Sequence, residues 1–118
     1  MANDFKRICT PSIGTSLTTI YGVPAGAGSS ALETFVIGIT MANKTTSGVT
    51  ASIFIDNEDG SNDVYIVKDA SIPAGASLEV MSGNKLVLMN DGSNADNLEA
   101  LSNTANAVDV TVSVLEDV

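Results

Sequence analysis

The tightest constraint on this chain lies near its C-terminal end. From Ala107 to Glu116, Val108, Val110, Val112 and Val114 recur at every second position, with Asp109, Thr111 and Ser113 between them. Residues two apart point to one face of an extended chain, whereas a helix would spread them around its axis. The period of two therefore specifies a strand with one buried face. Asp109, Thr111, Ser113 and Glu116 are read as its polar punctuation, while Leu115 breaks the polar face and is expected to reach a neighbour.

The same period recurs along the chain. Val49, Ala51, Ile53 and Ile55 alternate with Thr50, Ser52 and Phe54. Residues 34–41 are almost continuously apolar, which predicts a strand covered on both faces, with Gly38 marking a bulge or a close neighbour. Residues 16–23 read as a Thr-rich strand stopped by Pro24, and 64–68, 77–81 and 85–89 as further strands; 98–101 is a weaker candidate that would tolerate a helical turn. The motif Val23-Pro24-Ala25-Gly26 returns as Ile72-Pro73-Ala74-Gly75, and Asp59-Gly60-Ser61-Asn62 returns as Asp91-Gly92-Ser93-Asn94. The first pair reads as strand-to-strand corners and the second as hairpin-like turns. About eight short strands without a helical period predict an all-β fold. That fold is a single antiparallel β-sandwich, jelly-roll or Ig-like, over residues 13–118, with 1–12 as an N-terminal arm or edge segment.

Composition narrows the chemistry. The 118 residues hold fourteen acidic and five basic side chains, for a net charge of −9, with no His and one Cys. Without imidazole there is no Ser-His or Cys-His nucleophile pair and no His-ligated zinc, and Cys9 alone closes no intrachain disulfide. The charge has the wrong sign for nucleic acid or an anionic membrane surface. No apolar run reaches the ~20 residues of a membrane span, and the opening residues lack a signal-peptide core, so synthesis in a cytoplasm is expected. Asn43-Lys44-Thr45 matches a glycosylation sequon but is read as an ordinary polar turn.

Three constellations bear on chemistry. Asp56, Glu58 and Asp63 in an acidic loop offer oxygens for calcium, but the loop departs from the EF-hand pattern and a solvated hairpin explains it with less. Glu33, Glu79 and Glu99 are the carboxylates beside apolar segments that a glycosidase pair would require, against a reading as solvent-facing strand residues. Cys9 has no activating base. No catalytic, cofactor or metal site is expected. Phe5, Lys6, Arg7 and Ile8 mix apolar and basic character in an acidic chain and are the expected partner contacts, as an anchoring arm or an edge strand.

Residues 3–7 (Asn-Asp-Phe-Lys-Arg), 20–26 (Ile-Tyr-Gly-Val-Pro-Ala-Gly), 64–75 and 107–116 together resemble small virion proteins of marine and freshwater tailed phages. The resemblance implies a non-enzymatic particle component with a β-sandwich fold. Its first expected role is a decoration (cement) protein that binds the major capsid protein on the outer capsid and stabilises it. A neck, tail or fibre-associated subunit is the second, and a host-glycan or calcium-binding module a third. A homo-oligomer located in the virion is the expected form.

Overall fold

The computed structural model describes residues 3–81 and 85–117. Residues 1 and 2 of the expected N-terminal segment and residues 82–84 and 118 of the expected domain lie outside the described residues. In chain order the elements are β1 (Asn3–Thr10), β2 (Thr18–Gly22), β3 (Leu32–Asn43), β4 (Val49–Asp56), β5 (Val64–Ile72), β6 (Ser77–Glu79), β7 (Leu86–Asn90), β8 (Asn97–Ser102) and β9 (Val108–Asp117). No helix occurs among the described residues, and every ladder is antiparallel.

The strands form two sheets. One runs β1–β9–β3, with β7 and β6 following each other end to end along the far edge of β3, opposite residues 32–36 and 40–42; the other runs β2–β8–β4–β5. The first strand thus pairs with the last, β2 with β8, β3 with β6 and β7, and β4 with β5. This is one nested hairpin wound into two layers, which is the jelly roll. An Ig-like sandwich divides its strands differently between the sheets. Of the connections, only β4–β5 and β6–β7 stay within a layer.

The chain's turns explain the winding. Both Pro-Ala-Gly corners follow a strand of the second sheet and carry the chain to the first, each anchored by a buried residue before the proline, Val23 or Ile72. Asp59-Gly60-Ser61-Asn62 closes the β4–β5 hairpin as expected. Asp91-Gly92-Ser93-Asn94 differs: it bends back only locally, through the Asn90–Ala95 bridge, and then delivers the chain from β7 to β8 in the other sheet. Of the bulge or close neighbour expected at Gly38, the strand has the bulge: the register shifts between Val36 and Gly38 opposite β9, with Ile37 as the extra residue.

The core is the shared lining of the two sheets. Val36, Ile39, Met41, Leu88 and the four alternating valines of β9 meet Ile20, Ile53, Ile72, Leu98 and Ala100 from the other layer, all essentially without solvent contact. The weak 98–101 candidate proves to be a strand, β8, lying between β2 and β4. Two neighbours supply its hydrogen bonds, so sheet pairing overrides a local tolerance for helix. Asn43 of the sequon is buried, and its amide donates to the carbonyls of Ser47, Ile72 and Pro73, so it caps the end of β3 from within.

Candidate interaction surface

Alternation fixes which side chains of the first sheet face away from the core. The register sets Phe5 opposite Leu115, Leu115 opposite Phe35, and Phe35 opposite Val87. Four apolar residues therefore stand in one row across β1, β9, β3 and β7. Phe5 is 73 % exposed, and Phe35, Val87 and the nearby Ile37 and Met89 are each exposed by nearly half. A shallow depression of about 350 Å³ lies in this face, lined by Asn3, Glu33, Phe35, Val87, Leu115 and Asp117. The expectation that β3 is covered on both faces is corrected here. Its inner face is buried, but Phe35 and Ile37 look out from a sheet that no other described residues cover on that side.

The four N-terminal candidates divide by the same rule. Phe5 and Arg7 point outward with the row. Ile8 packs against the core, and Lys6 turns towards Glu116, where its ammonium lies 2.9 Å from one carboxylate oxygen and 3.8 Å from Asp4. Residues 3–10 form an edge strand paired with β9 along their whole length. Three of the five cations sit in ion pairs: Lys6 with Glu116, Lys44 with Asp109 and Lys68 with Asp69. Among the described residues Arg7 and Lys85 have no such partner.

Glu116 is a site residue that sequence reasoning misplaced. Its charge places it with the polar face of its strand, yet it shares the parity of Val108 to Val114, and the structure buries it to 2 % exposure on their side. That parity was the signal. Its second oxygen accepts the Tyr21 hydroxyl at 2.6 Å. Because that proton is committed, the Thr34 hydroxyl donates to the Tyr21 oxygen across 3.0 Å. Burial, and then the bond to Glu116, push the Tyr21 hydroxyl well above the ordinary tyrosine range. The bond to Glu116 likewise raises Lys6. Beside this network, Asp4, Lys6, Glu33 and the 24–27 loop line an open cleft of about 540 Å³. Every buried side-chain polar atom among the described residues has a partner.

The other candidates are not brought together. Glu33 lies at one end of β3 and Glu79 opposite Thr40, seven positions along, so roughly 20 Å separates them. A glycosidase pair works at about 5–9.5 Å. Glu99 belongs to the other sheet, where burial and the charges of Asp56 and Asp63 raise its carboxyl. Glu79 is occupied in holding the β3 bulge, accepting the Ile39 N–H at 3.2 Å and the Thr40 hydroxyl at 2.9 Å.

In the acidic loop, Asp63 accepts the Asn57 N–H at 2.8 Å and Asp59 the Ser61 N–H at 2.8 Å, so these carboxylates bind their own backbone. The buried Asp96 carboxylate ties the loop to β7 through the N–H groups of Glu58 and Met89, at 2.7 and 2.9 Å. Among the described residues no group of three carboxylate or thiol side chains is placed to hold a metal ion. Cys9 is exposed on β1. No protein-family model, curated protein or solved structure matches the chain.

Proposed function

We propose that this chain is a non-enzymatic structural subunit of a tailed-phage virion. In this reading it is a decoration protein made in the host cytoplasm, carried in several copies on the outer capsid and bound to the major capsid protein. The observation that carries the reading is the apolar row of Phe5, Leu115, Phe35 and Val87. Exposed apolar areas of more than a few hundred Å² mark surfaces that another protein covers. The polar groups inside the sandwich are engaged in holding it together, which suits a scaffold more than a reaction centre. The fold alone does not choose a function. The phage resemblance of residues 3–7, 20–26, 64–75 and 107–116 supplies the particle context.

The test is to purify virions of the phage that encodes the chain and label the protein with gold-tagged antibody. Label distributed over the capsid is the expected result, with particles lacking the protein failing sooner under heat or osmotic shock. Label confined to the neck, tail or fibres would move the subunit to those positions. Absence from the particle would end the virion reading.

A further inference from the structure

The geometry points to the outer face of the β1–β9–β3–β7 sheet as a two-fold interface with a second copy of this chain. The inference rests on the assembly reading above, though it requires no particular site on a virion.

Register divides the face into three rows. The first holds Asn3, Asp117, Glu33 and Met89; the second Phe5, Leu115, Phe35 and Val87; the third Arg7, Ser113 and Gly38, with the bulged Ile37 beside it. Lys85 lies one residue beyond the Leu86–Val36 pair, level with the third row. The face therefore runs from acidic through apolar to basic along the strand direction. A two-fold axis lying in the face along the apolar row keeps that row against its own copy and reverses the strands. The acidic end of one copy then lies over the basic end of the other, with Asp117 one strand across from Arg7 of the copy and Glu33 one strand across from its Lys85, within reach of these long side chains. An axis along the strands would set acid on acid, and the charges select the first arrangement.

The groups involved are free to pair. Arg7, Lys85, Glu33 and Asp117 have no ion-pair partner in the chain, among the described residues. Beyond the third row, Glu79 is held by backbone N–H groups and Asp109 by Lys44. Copies carrying −9 each repel, and this face gathers Arg7 and Lys85, the two Lys and Arg side chains without an ion-pair partner among the described residues. β1, β9 and β3 over eight residues and β7 over its five, about 4.8 Å apart, span on the order of 450 Å². Both copies together bury roughly 900 Å², the size of a weak, concentration-dependent interface. The opposite sheet's outer face carries Glu99, Lys68 and Asp69 among its aromatics and lacks such a row.

Sedimentation of the intact chain over a wide concentration range tests the inference. A dimer is expected, and Phe35→Asp should weaken it by about a hundredfold or more, since a symmetric interface carries the change twice. Phe35 lies outside the core, so the variant should keep its strand spectrum. Arg7→Glu should also weaken the dimer, and adding Asp117→Arg should restore it.

A second measurement does not depend on those variants. In a Cys9→Ser background, Leu115→Cys lies on the axis and should form a disulfide with its own copy. Native Cys9, two rows from the axis, sits about 27 Å from its own copy and should not. A chain that is monomeric at every concentration, or a dimer indifferent to both Phe35→Asp and Arg7→Glu, overturns the interface. Virion association by a monomeric chain would overturn it while leaving the decoration role. A dimer that never joins particles would do the reverse.

Discussion

Glu116 shares its two carboxylate oxygens between a half-exposed ammonium and a buried phenol. Tyr21→Phe removes the phenol and leaves Glu116 and Thr34 short of a partner inside the sandwich, so it should cost about 1–3 kcal/mol in denaturant unfolding. The same pair sets an alkaline limit. Both Tyr21 and Lys6 are raised in the folded state. Each therefore contributes stability that is complete below its unfolded value, about pH 10, and is lost as pH rises through the folded value. Melting temperature should fall above pH 10, and Tyr21→Phe should flatten that fall; an equal slope in both proteins would show that the network does not titrate with folding. In the core, Leu88→Ala should cost about 2–5 kcal/mol, because the packed layers cannot close over the missing atoms.

At the level of elements, the turn between β7 and β8 depends on a backbone that only glycine adopts freely. Gly92 has φ +101°, and a Cβ there would lie 2.3 Å from the Ser29 carbonyl oxygen. Gly92→Ala should destabilise by about 1–3 kcal/mol and loosen the 24–31 connection, read as faster amide exchange in both segments. The β4–β5 loop is held by its own carboxylates and by Asp96, so the melting temperature is expected to be the same with calcium and with a chelator. A rise with calcium would revive the ligand reading of Asp56, Glu58 and Asp63. β1 needs a finer tool than truncation. Removing residues up to Ile8 would strip the edge from β9 and take Lys6 from Glu116, confusing lost folding with lost docking. Phe5 and Arg7 can be changed on the outer face alone.

For the whole molecule, self-association and folding are linked. A dimer that buries the apolar row should melt at a temperature that rises with protein concentration, and Phe35→Asp should abolish the rise. The molecule is elongated, 47 × 28 × 22 Å, so pairing through its broad face rather than its ends should yield a compact dimer measurable by small-angle scattering.

Strand existence and face were legible because a period of two is local. The valines of β9, the corner prolines and the irregularity beside Gly38 each read correctly from a few neighbouring residues, whereas the simple alternation expected of β4 is broken by register shifts and by a buried Ser52. The burial of Glu116 is legible in its parity with the valines, against the expectation from its charge. The nesting of first strand with last, the strand state of 98–101 and the lone outer face of β3 were settled by partners far along the chain. The row of Phe5, Leu115, Phe35 and Val87 joins residues up to 110 positions apart. Only hydrogen-bond register between strands aligns them, and register is a property of the assembled sheet.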